Sequence, residues 1–263
     1  MKLTPKHGRG LALTLTALVT LSSPATAATL VYQDSFDNDG AANSGTGGSL
    51  NTGWRNSGTE FTDNGDLSAS TNGGGQQSWA WTQSEFDLSG GFEMVVTFTT
   101  VAAGNPSFTF SFGLLDEVSA ATTGNGGLVG ETGNFRNVIA GDTTSGIAFG
   151  TTTRNGGIAG FDVFTDTSFT EINDDITTSI SLGTTQTLTL TVNADGSGSA
   201  SLGTGTATYA AGTFTLFDES ADDEFHFAVF SQGNNDPGGS LQSVSLSQIP
   251  EPSSLALIGL GLT

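Results

Sequence analysis

Phe92-Glu93-Met94-Val95-Val96-Thr97-Phe98-Thr99 decides the fold class. Phe92, Met94, Val96 and Phe98 alternate with Glu93, Val95, Thr97 and Thr99. Successive side chains of a strand point to opposite faces, so this is a strand with one apolar side. Phe108, Phe110, Phe112 and Leu114 repeat the pattern against Thr109, Ser111 and Gly113. The two runs are expected as neighbouring strands.

The same period extends outward. Leu188, Leu190 and Val192 alternate with threonines before Asn193-Ala194-Asp195-Gly196, and a second run follows through Ala200 and Leu202. Asp-Gly between alternating runs marks a hairpin, because glycine accepts the positive φ of such turns. Phe214 with Leu216, Phe225 with Phe227 and Val229, and Val244 with Leu246 are expected to add three more strands. No helical period shows between Thr29 and Ser247, and no fixed repeat length suggests a solenoid or propeller. Ten or more short strands in this length predict an all-β, two-sheet antiparallel jelly-roll sandwich.

Both ends differ from this middle. Lys2, Lys6 and Arg9 precede an apolar stretch, Leu11 to Leu21, and then Ala25-Thr26-Ala27. A basic start, a short apolar run and small residues form a secretory signal peptide, residues 1–27. The run is shorter than the roughly 20 residues of a spanning helix. At the far end Pro250-Glu251-Pro252 interrupts any strand ladder, so the sandwich is expected over 28–248.

Pro250, Glu251 and Pro252 lead into the apolar run Leu255 to Leu262, and this tail, 249–263, resembles the PEP-CTERM sorting signal. The family pattern continues to a basic cluster, which does not follow before Thr263, so the tag is expected to be an incomplete form. The resemblance implies a protein exported in Gram-negative bacteria that make exopolysaccharide. Signal peptidase and an exosortase-type enzyme are its implied partners, and the tail meets the membrane only transiently.

Composition narrows the partners further. The chain of 263 residues has 26 acidic residues, 38 glycines, 18 phenylalanines and no cysteine. Removal of 1–27 leaves Arg55, Arg136 and Arg154 against all 26 acids, a formal charge of −23. A nucleic-acid binder needs the opposite sign to neutralise phosphates, so nucleic acid is excluded. Without cysteine there are no disulfides, thiolate metal sites or cysteine nucleophiles. Such a polyanion is expected to contact neutral polysaccharides, or anionic ones bridged by calcium.

Three segments resemble the concanavalin A-like (laminin G-like) sandwich: the opening Leu30-Val31-Tyr32-Gln33-Asp34-Ser35-Phe36-Asp37, the entry Phe86-Asp87-Leu88-Ser89-Gly90-Gly91-Phe92, and Phe225-His226-Phe227-Ala228-Val229-Phe230. An immunoglobulin-like sandwich is the alternative, although the chain is long for one such domain.

Glycosidases on concanavalin A-like folds are the enzymatic alternative, with closely spaced acids on one strand. Glu85 and Asp87 have the first spacing, but the Gly90-Gly91 pair separates them from Glu93. Retaining hydrolysis needs two carboxyls about 5–5.5 Å apart. His226 is the one histidine of the chain beyond the leader, and neither a Gly-x-Ser-x-Gly elbow nor further histidine ligands accompany it. It is expected to point away from the face carrying Phe225, Phe227 and Val229. No catalytic residue is assigned.

Gln77, Trp79, Trp81 and Gln83, followed by Glu85, alternate with Ser78, Ala80, Thr82 and Ser84. On one strand both indoles and both amides share a face, and flat aromatic rings flanked by amides suit sugar rings. These four residues are the candidate glycan platform, with burial of both tryptophans in the core as the alternative. Asp37-Asn38-Asp39, Asp63-Asn64-Gly65-Asp66, Asp174-Asp175 and Asp222-Asp223-Glu224 could offer oxygen ligands to a structural calcium, and solvated turns explain them equally well. The expected function is a non-enzymatic, secreted protein of the outer envelope or extracellular matrix that contacts polysaccharide. A polysaccharide hydrolase or lyase and a purely structural matrix component are the alternatives.

Overall fold

The computed structural model describes residues 27–36, 54–56, 61–63, 65–69, 76–100, 109–116, 145–152, 158–165, 168–172, 176, 181–217, 224–233 and 239–249. Residues 1–26 of the expected leader, Pro250 to Thr263 of the expected tail, and Asp37, Asp39, Asp174, Asp175, Asp222 and Asp223 lie outside this set.

In chain order the strands are β1 (Thr29–Asp34), β2 (Trp54–Asn56), β3 (Phe61–Asp63), β4 (Leu67–Ala69), β5 (Gln76–Thr82), β6 (Phe86–Asp87), β7 (Gly91–Thr100) and β8 (Thr109–Leu115). They continue with β9 (Gly146–Thr152), β10 (Ile158–Thr165), β11 (Ser168–Ile172), β12 (Thr185–Asn193), β13 (Gly198–Leu202), β14 (Gly205–Tyr209), β15 (Glu224–Gly233) and β16 (Gly239–Gln248). The first sheet runs β14-β13-β12-β7-β16-β4-β3, with β1 also beside β16. The second runs β11-β10-β9-β8-β15-β5-β2, with β6 beside β15. The result is the two-sheet antiparallel sandwich that the alternation predicts.

Alternation builds the core directly. Phe92, Met94, Val96 and Phe98 of β7 are fully buried, as are Leu188, Leu190 and Val192 of β12 and Leu246 of β16. Phe110, Phe112 and Leu114 of β8, Phe149 of β9, and Phe227 and Val229 of β15 face them from the second sheet. Phe98 meets Phe112 at 5.2 Å and Phe149 at 5.6 Å between ring centres, so aromatic packing knits the two layers. Truncating such a ring to alanine costs about 3–5 kcal/mol.

Two sequence expectations change here. β7 and β8 are not paired neighbours; they belong to different sheets and meet through the core. Alternation reports which face of a strand is buried, not which strand lies beside it. Phe214 and Leu216 do not form a strand either, since Thr215–Phe217 is one turn of 3-10 helix. There the apolar spacing is three, and Phe214 and Phe217 are both fully buried. Phe217 packs on Phe92 at 4.8 Å and on Phe225 at 4.6 Å.

The chain changes sheet at Gly90-Gly91. β6 pairs with β15 in the second layer, whereas β7 is central to the first. Gly91 has a φ of +106°, and a Cβ there would lie 2.8 Å from the Val192 carbonyl oxygen, so only glycine fits the crossing.

Candidate functional site

β5 carries the candidate platform, but not all of it. The strand ends at Thr82, so Gln83 and Glu85 leave the row that Trp79 and Trp81 begin. In register, Trp81 pairs with Ala228 and Trp79 with Phe230, while Ala80 pairs with Val229. Ala80 and Val229 belong to the sandwich core and Trp81 and Ala228 do not, which places Trp81 on the opposite face of the second sheet. The alternation therefore puts Trp81 on the face away from the core.

That face is nevertheless covered. Trp81 is 6% exposed and Ala228 and Phe230 are fully buried. Ala228 pairs onward with Gly113 of β8, and Gly113 with Ala148 of β9. Trp81 thus lies in a row between Arg55 of β2 and the small residues Ala228, Gly113 and Ala148, and beyond Ala148 the row continues to Asp162 of β10. The side chains of Gln77 and Trp79 lie outside the described set. Gln83 is exposed, and its Nε2–H donates to the Trp54 carbonyl oxygen at 3.1 Å, anchoring the bend after β5 to β2.

A second group closes the same end of the strand. The Nδ1–H of His226 donates to the Thr82 carbonyl oxygen at 2.8 Å, and its Nε2 lies 3.1 Å from Glu85 Oε1. The Phe227 amide donates to Thr82 Oγ1 at 3.1 Å, and that hydroxyl donates to the Ser84 carbonyl at 2.9 Å. His226 sits opposite the face of Phe225, Phe227 and Val229, as its place in the alternation requires. It does not project freely into solvent: its side chain is 12% exposed and clamps the β5 exit.

The three acids of the enzymatic alternative do not assemble. Asp87 accepts the Ser89 amide at 3.0 Å and the Ser89 hydroxyl at 2.6 Å, capping the turn before β7. Glu93 lies on β7 in the first sheet, between Thr191 and Ser247, whereas Glu85 and Asp87 belong to the second layer. Among the described residues no three histidine, aspartate or glutamate side chains gather to hold a metal ion.

One constellation escaped the sequence reading. Asp34 of β1 accepts the Trp54 indole Nε1–H on Oδ2 at 3.0 Å, the Tyr32 hydroxyl on Oδ2 at 3.3 Å, and the Phe36 amide on Oδ1 at 3.0 Å. Trp54 belongs to β2, so this carboxylate joins the two sheets. Phe36 has a φ of +49°, rare for a residue with a side chain, and is 1% exposed against Trp54. The signal available was the positive-φ tolerance of an Asp-Ser turn, which does not point at a phenylalanine.

Comparison with known proteins bears on these features. Residues 248–263 match the PEP-CTERM protein-sorting motif. No curated protein sequence matches the chain. By fold it is similar to the Emp47p carbohydrate recognition domain, with 12% identity over 76% of this chain and 90% of that one and a TM-score of 0.51. It is similar to the CBM2 module of the evolved Dit of Lactobacillus casei BL23 phage J-1, with 11% identity, 84% and 96% coverage and a TM-score of 0.55. Peanut lectin with a bound nine-residue peptide gives 13% identity, 84% and 97% coverage and a TM-score of 0.51. At these identities the likeness is one of fold. No helix among the described residues is long and apolar enough to cross a membrane. The chain thus folds as a two-sheet β-sandwich similar to these lectin-like, concanavalin A-like domains and carries a C-terminal PEP-CTERM sorting motif, the mark of export and sorting to the cell surface.

Proposed function

We propose that the sandwich is a non-enzymatic polysaccharide-contacting domain of a surface protein of the outer envelope or matrix. The contact is assigned to the coreless face of the second sheet, with Trp79 and Trp81 beneath the sugar and Gln77 and Gln83 beside it. The observation that supports this most is the Trp81-Ala228-Gly113-Ala148 stretch of one cross-strand row, an indole next to three small residues with Arg55 and Asp162 at its two ends. The fold likeness to a carbohydrate recognition domain and to peanut lectin adds to it. Signal peptidase and an exosortase-type enzyme act on the leader and the tail of this reading, which divides the chain into 1–27, 28–248 and 249–263.

With Trp81 at 6% exposure, binding must uncover it, so the indole forms the floor of the site rather than an open surface. The formal charge of −20 for the whole chain favours neutral polymers or anionic ones bridged by calcium. Polysaccharide-array binding of the purified protein, with and without calcium, tests the reading against Trp79→Ala and Gln83→Ala variants. Loss of roughly tenfold in affinity is expected for Trp79→Ala, the scale of an aromatic anchor. Binding equal to the parent in both variants removes these residues from the site.

The burial of Trp81 favours a second reading, a matrix component without a specific ligand. An array on which no polysaccharide binds at all selects it.

A further inference from the structure

The sorting motif begins inside the fold. Its match starts at Gln248, the last residue of β16, which pairs with Thr29 of β1 on one side and Phe92 of β7 on the other. The Ile249 amide donates to the Gly91 carbonyl at 3.0 Å, and Gln248 Nε2–H donates to the Ser89 carbonyl at 3.2 Å. The ladder therefore holds the chain up to the residue before Pro250, and no linker separates the folded domain from Pro250-Glu251-Pro252. Anything that takes hold of the motif meets this end of the sandwich.

What it meets is apolar. Leu30 is 54% exposed and Val31 is 37% exposed, the only large hydrophobic residues exposed among those described. Leu30 pairs with Ser247, one residue before the motif. Their exposure has a cause in the backbone. Leu30 pairs with Ser247 and Tyr32 with Leu246, so Val31 is an extra residue, a bulge that breaks the alternation. Simple alternation would turn Leu30 and Tyr32 to the same side. Tyr32 instead packs on Phe86 at 4.9 Å, while Leu30 shares the outer face with Ser247.

We propose that Leu30 and Val31 form a docking surface for the membrane-embedded enzyme that processes the sorting motif. The ladder holds the chain to Ile249, directly before Pro250, so an enzyme that takes hold of the motif works next to this end of β16, where Leu30 and Val31 are the exposed large apolar side chains among the described residues. The bulge presents the two side chains beside Ser247, at the end of β16. This goes beyond polysaccharide contact and does not rest on it.

The test follows removal of the C-terminal segment by intact-mass spectrometry of the full chain, produced in a host that processes PEP-CTERM proteins. The same spectra report leader removal separately. A Leu30→Ser/Val31→Thr variant is expected to be processed about tenfold more slowly, the loss of one interface anchor, with an unchanged melting temperature. Leu30→Val/Val31→Ile should keep the parental rate. A Gly/Ser insertion of about ten residues between Ile249 and Pro250 should make processing indifferent to Leu30→Ser/Val31→Thr, because the enzyme then clears the pole. Equal rates in the directly joined chains overturn the proposal, as does a defect that persists with the insertion, or failure of the parent to be processed. Membrane association that depends on Leu30 and Val31 in a host lacking the enzyme also overturns it, assigning the pair to the bilayer.

Discussion

The carboxylate of Asp34 and the indole of Trp54 join the two sheets through a 3.0 Å hydrogen bond at the margin of the sandwich. The same carboxylate holds the Phe36 amide and so the φ of +49° that buries the Phe36 ring. Removing it leaves an indole N–H and an amide without an acceptor and releases a strained residue. Asp34→Ala should cost about 2–3 kcal/mol in denaturant unfolding, the scale of hydrogen bonds to a charged group. Asp34→Asn, which keeps one oxygen acceptor, should lose less.

Gly113 of β8 stands opposite Ala148 of β9. A Cβ there would overlap the Ile147 carbonyl oxygen, which is backbone and cannot swing aside. Gly113→Ala should destabilise by about 1–3 kcal/mol, the range for overpacking a buried site. Since Gly113 also belongs to the row of Trp81, a thermal melt and a near-ultraviolet circular dichroism spectrum should change together.

His226 and Glu85 offer unequal contributions. Glu85 is 46% exposed, so Glu85→Gln should change stability by no more than about 1 kcal/mol, as for exposed ion pairs. His226→Ala removes the donor that holds the Thr82 carbonyl beside a largely buried ring. A loss of about 1–3 kcal/mol is expected there, the cost of stranding a buried polar partner. Equal effects of the two variants in denaturant unfolding would show that the carboxylate, not the carbonyl, dominates.

One aspartate carries a titration prediction. Asp195 has its pKa lowered, chiefly by hydrogen bonds from the side chain and amide of Ser197, the latter at 2.9 Å. A carboxyl whose folded value is depressed favours the folded turn above its unfolded pKa. That contribution disappears as pH falls through the folded value. In an NMR titration Asp195 should ionise below the ordinary aspartate value, and Ser197→Ala should move its midpoint upward.

Period-two alternation made the core legible because it records burial residue by residue. Every member of Phe92, Met94, Val96 and Phe98 is buried as expected. It could not say that Phe98 meets Phe112 across the core instead of beside it, because sheet membership depends on long-range pairing. It also failed at Phe214, where spacing of three belongs to a helical turn. For the candidate site, alternation placed Trp81 on the coreless face but carried the strand too far, to Gln83 and Glu85. Its end at Thr82 is set by the Thr82 hydroxyl bonding to Ser84 and Phe227, a side-chain event without periodicity. The bulge at Val31 was equally silent, since it arises from register with β16.

The three tryptophans provide the most direct measurement of the central claim. Each indole Nε1–H gives its own NMR signal, assignable by substitution, and Trp54 is an internal control because its N–H is held by Asp34 in the core margin. On addition of a polysaccharide that binds the protein, the Trp79 and Trp81 signals should shift while that of Trp54 stays in place. Binding that leaves the Trp79 and Trp81 signals unmoved would contradict the assignment of polysaccharide contact to this face.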